Sequence, residues 1–222
     1  LKEPALDPSE LSRLEAALHR GSAHASEQLG KWLGRSSIIE LDALRVSPIA
    51  EATELLTAGD DPICFCSMQM KGEIGGQMIL AFDDSSGLEL ADLALAQPAG
   101  TTTDWSDLAM SAVLETTNIV CCAYLNELAE QLRQPSQSVS LVPSPPEFHR
   151  DYAQSLMQFA LMDQALEFDL AILAKTSFTI EEKPVRWNLL FIPDGGSLRR
   201  IAQWIGKRNN DAAGEANPQE HA

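Results

Sequence analysis

The feature that most constrains this chain is an internal repeat. Residues 8–33 and 104–133 each carry apolar side chains at helical spacing over many turns. Each stretch is followed by the same succession: strand, short helix, two strands, helix. The closing hairpins overlay at an offset of 110, with Ile79-Leu80-Ala81-Phe82 on Leu189-Leu190-Phe191-Ile192, Asp84 on Asp194 and Leu88 on Leu198. The long helices overlay at an offset of 99, with Leu29 on Leu128, Leu33 on Leu132, Ala16 on Glu115 and His19 on Asn118. At about 100° per residue, Leu11, Leu14, Leu18, Leu29, Trp32 and Leu33 share one arc of the first helix. Met110, Val113, Leu114, Val120, Cys121, Leu125, Leu128 and Leu132 share the matching arc of the second. A duplicated unit whose halves close over one core is the economical reading.

The first half is expected to run as a helix from Pro8 to Leu33 closed by Gly34, then a strand from Ser36 to Val46. A short helix from Pro48 to Leu56 follows, then strands Ile63–Met70 and Gln77–Phe82 around the glycine turn 72–76, and a helix Gly87–Leu95. In the first of those strands Ile, Phe, Ser and Gln alternate with Cys and Met, which predicts one wetter face. Pro98 to Thr103 reads as a linker or long loop. The second half is expected to open with a helix from Asp104 to Arg133, capped by Asp104 or Ser106, followed by a strand Ser138–Val142. A helix after Pro145 and Pro146 running to Met162, β-rich segments 166–180 and 185–192, and a helix 197–205 complete it. This makes one α+β domain over residues 9–206, with half-repeats 9–97 and 104–206, and a polar, disordered tail at 207–222.

Charge narrows the function classes. With 16 Lys and Arg against 32 Asp and Glu, the net charge is −16. A nucleic-acid groove or an anionic membrane surface needs clustered cations, so neither is expected as a partner. No apolar run suggests a membrane span, and Leu1-Lys2-Glu3-Pro4 has neither a signal-peptide core nor an initiator Met, which fits a processed chain or a fragment. Cys64, Cys66, Cys121 and Cys122 fall in two close pairs within a large apolar chain, the usage of a reducing cytoplasm. They lack zinc-knuckle spacing, and His19 and His24 are five apart, so no metal site is expected. Gly72 to Gly76 lacks a Walker lysine and reads as a hairpin turn, while Trp105 reads as a staple at the start of the second long helix.

The chemistry concentrates on that second helix. Ser111, Glu115, Asn118 and Cys122 fall within an arc of about 60° bordering the buried face. Glu115 and Asn118 are one turn apart and can reach one small target. A carboxylate grips a cation or accepts a proton, and an amide orients water without titrating. The same pattern also describes the solvated side of an ordinary amphipathic helix.

Ser111-x-x-x-Glu115-x-x-Asn118, followed by the apolar run with Ala123, Leu125 and Leu128, resembles the signature of the CheC/CheX/FliY family, phosphatases of the phosphorylated chemotaxis regulator CheY. The duplicated order of elements, the glycine turn 72–76 and the step Asp83-Asp84-Ser85-Ser86 into a helix also resemble CheC. The resemblance implies a CheC-like fold, a mainly antiparallel sheet with two long helices packed on it. It implies that Glu115 pairs with the lysine beside the regulator's phosphoaspartate, that Asn118 positions the attacking water, and that Ser111 is supporting. It implies no cofactor of the chain's own, since Mg²⁺ comes with the phosphorylated regulator, and it permits a CheD-like deamidase as a further partner. CheC usually carries the signature twice; here Ala16 and His19 stand where Glu and Asn would, so one working site is expected. The FliM middle domain resembles the same fold without the pair, so a non-catalytic docking module is the alternative.

Overall fold

The computed structural model describes residues 7–48, 62–132, 141–152, 155, 170–180, 183–194, 196, 197, 200 and 201. Pro48, expected to open a short helix, instead ends a strand; the rest of that helix at 49–56, most of those expected to end at Met162 and at Ile205, the starts of the strands expected from Ser138 and Leu166, and the tail 207–222 lie outside them.

Asp7 caps the first helix, α1 (Pro8–Leu33), accepting from the backbone N–H groups of Ser9 and Glu10, while the Glu10 carboxylate accepts from the Asp7 N–H. This reciprocal box satisfies donors that the first turn would leave open. Gly34 ends α1 in the left-handed conformation, φ 64°. The chain continues through β1 (Ser37–Pro48), β2 (Ile63–Gly72), β3 (Gly76–Asp83), α2 (Asp84–Ala94) and α3 (Asp107–Leu132). Then follow β4 (Leu141–Pro143), β5 (Glu147–Asp151), β6 (Leu170–Ile180) and β7 (Lys183–Pro193).

The strands form one sheet in the order β1-β6-β7-β3-β2, with β4 and β5 sharing the outer edge of β2, and every pairing is antiparallel. The halves exchange strands: β1 of the first half pairs with β6 of the second, and β4 and β5 of the second with β2 of the first. At the centre, Ile79 pairs with Leu190 and Leu80 with Leu189. These are the positions that overlay at an offset of 110, so a pseudo-twofold axis passes between them. The correspondence drifts along the chain. It is 99 for Ala16 and Glu115, 103 for Glu40 and Pro143, 107 for Ser67 and Ala174, and 110 for Ile79 and Leu189, as loops of unequal length intervene.

Helices α1 and α3 pack on each other and on one face of the sheet, around Leu14, Leu29, Met68, Leu80, Val113, Val120, Phe178 and Trp187. Their crossing is set by a close approach. A Cβ on Gly21 would lie 2.6 Å from Cδ1 of Tyr124, whose hydroxyl bonds Ser22 Oγ at 2.7 Å.

Several expectations are corrected. The strand expected to have a wetter face has one only at its ends: Ile63 and Gln69 are half-buried where Cys64, Cys66, Met68 and Met70 are buried, but Phe65 and Ser67 between them are covered, as are Ile79, Ala81, Leu190 and Ile192 on the same face of the sheet. The segment after Pro146 is not helical over Glu147–Asp151 but is strand β5, because β2 offers an edge and Phe148 packs on Trp105 at 4.7 Å. Trp32 leaves the apolar arc and is exposed. Asp194 accepts from the Ser197 N–H as Asp83 does from the Ser86 N–H, so the caps correspond as Asp83 and Asp194, not Asp84 and Asp194. The segment 98–103 is the long loop of the two readings, tied to α2: the buried Asp92 carboxylate accepts from the N–H groups of Gly100, Thr101 and Thr102. Finally, α3 is long and apolar enough over Asp107–Glu130 to cross a membrane by length and composition, but 56% of its most apolar window is buried inside this fold.

Candidate functional site

Ser106 caps α3, its Oγ accepting from the Ala109 N–H at 3.2 Å. The helix entrance is pinned by Trp105, whose indole N–H donates to Asp84 at 2.9 Å and whose ring stacks between Phe148 and, at 6.3 Å, Phe82. Trp105 therefore does staple α3, against α2, β3 and β5. Arg150 on β5 bonds the same Asp84 carboxylate, with Nε at 2.9 and 3.1 Å from its two oxygens. Those Arg150 bonds hold the Asp84 carboxyl down at about 2, against a smaller opposing push from burial.

Within α3, the register separates structure from chemistry. Thr116 and Thr117 are fully buried and turn their hydroxyls onto the Ala112 and Val113 carbonyls. Ser111 and Glu115 are exposed, and Asn118 and Cys122 are half-buried. Asn118 Oδ1 accepts a long bond, 3.5 Å, from the Cys122 thiol. Among the described residues the Glu115 carboxylate makes no hydrogen bond. The helix carries Asp107, Glu115, Glu127 and Glu130 and no lysine or arginine. Burial and then the Glu115 charge raise the Cys122 thiol, which keeps it protonated. Burial pushes Cys66 up to about 12 and also raises Cys64 and Cys121.

The structure brings the three expected residues together. Ser111, Glu115 and Asn118 line an open cleft of about 410 Å³ with Leu114, and its opposite wall is Pro143-Ser144-Pro145-Pro146. The sequence reading missed this wall. It is a β-bulge: Pro143 pairs with Met70 and Glu147 with Ser67, so three residues stand opposite two of β2. Ser144 secures it, its N–H donating to the Gln69 carbonyl at 2.8 Å and its Oγ accepting from the Gln69 N–H at 3.0 Å. The two adjacent prolines were the available signal, since they lack ladder donors and force a strand to break or bulge. In the first half, Ala16 and His19 are exposed on α1 at the corresponding places.

Sequence comparison finds no matching family model and no matching curated protein. Solved structures do match in fold. FliY of Thermotoga maritima superposes with a TM-score of 0.70 at 15% identity, over 92% of this chain and 99% of that one. FliM in the FliM–SpeE complex of H. pylori gives 0.68 at 14% identity, over 92% and 98%. The chemotaxis protein CheX of Desulfovibrio desulfuricans gives 0.50 at 11%, over 81% and 99%. The chain has the CheC/CheX/FliY fold, shared with the FliM middle domain.

Proposed function

We propose that this chain is a CheC-like phosphatase that hydrolyses the aspartyl phosphate of a CheY-type response regulator, with one working site on α3. The observation that carries the reading is that Glu115 and Asn118 stand one turn apart, unburied, facing an open cleft. An acyl phosphate is already activated, so its hydrolysis needs an aligned water and neutralised charge more than a protein nucleophile. Glu115, with no competing bond among the described residues, accepts the regulator's ammonium and fixes the docking register. Asn118 orients the water toward phosphorus. The regulator supplies Mg²⁺ with its phosphoryl group, so this chain needs no metal of its own. Ser111 borders the pair without a base beside it and acts as support. A deamidase of the CheD type remains a partner suggested by the sequence resemblance alone.

A second reading, a non-catalytic module that docks a regulator or a flagellar protein, is favoured by one observation: FliM structures superpose about as well as FliY. The experiment that separates them is phosphate release from a panel of phosphorylated CheY-type regulators in excess Mg²⁺, with wild type beside Glu115→Ala and Asn118→Ala. Accelerated release by wild type and its loss in both folded variants supports catalysis. Binding with unchanged release supports the docking module.

A further inference from the structure

We infer that the proline bulge is the second half of the recognition site, and that it selects a regulator loop carrying an apolar side chain next to its cation. The inference rests on the response-regulator reading above and adds to it what the docked loop must look like. The wall has no backbone donor to give. Pro143, Pro145 and Pro146 lack an N–H, and that of Ser144 is bonded to Gln69. The Ser144 hydroxyl donates to the Pro145 carbonyl at 2.9 Å. Besides backbone carbonyls, which only accept, the wall presents rigid pyrrolidine surface, and Leu114 of α3 also lines the cleft.

The apolar surface extends past the cleft. Leu108 lies one turn before Ser111 on the same face of α3 and is 60% exposed, the most open large apolar side chain among the described residues. Val142, also exposed, does not belong to this surface: it alternates away from Pro143, onto the side of its partner Lys71. Among the described residues the cleft lining contains a single ionisable group, Glu115, on a helix without cations. Charge complementarity therefore specifies the occupant: a partner loop bringing an ammonium or guanidinium to Glu115 and laying an apolar side chain between Leu108, Leu114 and Pro145. A purely polar basic loop would leave the proline wall wet and lose the apolar part of the contact.

The test is binding of CheY-type regulators from the same cell, charged with beryllofluoride and Mg²⁺, to wild type, Leu108→Gln, Pro145→Ser and Ile38→Gln. The last removes another exposed apolar side chain, from β1, elsewhere on the molecule. Circular dichroism confirms that each variant is folded. Leu108→Gln and Pro145→Ser are each expected to weaken binding about tenfold, with Ile38→Gln unchanged. If both site variants bind as wild type does, the inference falls while the Glu115–Asn118 reading stands. If no regulator binds wild type or loses phosphate to it, that reading fails and takes the inference with it.

Discussion

The two halves of this molecule are built alike and equipped differently. Each opens with a 26-residue helix. Each lends a strand to the other, and each borrowed strand carries a bulge of three residues against two: Leu41-Asp42-Ala43 on β1 and Ser144-Pro145-Pro146 between β4 and β5. The scaffold of a site is thus present twice. In the second half the helix presents Glu115 and Asn118 to a proline wall. In the first it presents Ala16 and His19, and the bulge carries Asp42, whose carboxylate accepts from Ser177 Oγ. Duplication preserved what folding needs, the bulges and the crossing helices. At the two candidate faces, what differs is side chains outside the buried core.

If that division is right, changes on the working face cost activity and changes at the crossing cost stability. The largest effect is expected from Asn118→Ala, which should lower phosphate release by about a hundredfold or more while leaving the melting temperature within a degree or two. Glu115→Ala should cost a similar factor, but mainly by raising the half-saturating regulator concentration, since it removes a docking charge. Gly21→Val should do the reverse. Its side chain meets the Tyr124 ring, and overpacking of this kind costs about 1–3 kcal/mol, read as a fall in the denaturation midpoint. The corresponding positions carry Val120 and Ala25, both buried, so the large and small partners are exchanged between halves. A Gly21→Val protein with wild-type stability would mean the helices can shift past each other, and the site register with them.

Acid should loosen the contacts that α2 makes with its surroundings. Burial pushes the Asp92 carboxyl up, but the hydrogen bonds from Thr102, Gly100 and Thr101 outweigh it and hold it below its ordinary value. The Asp84 carboxyl sits at about 2. A depressed carboxyl contributes stability that is complete above its unfolded value and lost as pH falls through the folded one. The denaturation midpoint should therefore drop between about pH 4 and pH 2. Asp92→Asn should remove about 1–3 kcal/mol at neutral pH by disrupting a buried acceptor of three amides. Asp84→Asn should remove under about 1 kcal/mol, because the Arg150 pair is half in solvent. Its signature is local: faster amide exchange in β5, beside the proline wall, than in β1.

How much of this was legible in the sequence follows from range. The helical pair was legible because about 100° per residue places Ser111, Glu115 and Asn118 on one face whatever surrounds them. The hairpin β6–β7 and the cap at Ser106 were legible for the same reason, being local. Strand β5 was not: nothing in Glu147-Phe148-His149-Arg150-Asp151 outweighs two prolines as a helix start, and only the open edge of β2, some eighty positions earlier in the chain, makes it a strand. The wall facing Glu115 was hidden with it. Asp7 was passed over as a cap beside Pro8, and Gly21 carried no signal of its own, because its role exists only where Tyr124 arrives.

The smallest expected effect tests the comparison hardest. Ala16→Glu with His19→Asn writes the missing pair onto an exposed face of α1 above an existing bulge. If a helical pair were sufficient, phosphate release per chain should double. The expectation is no change, because the first-half bulge presents the Asp42 carboxylate where the second presents Pro145, and a regulator loop that seeks an apolar wall does not dock there. Adding Asp42→Pro to the double variant then becomes informative, read as a second regulator bound per chain in sedimentation. A doubled rate from Ala16→Glu/His19→Asn alone would show that the wall is dispensable and that the two halves differ in two side chains only.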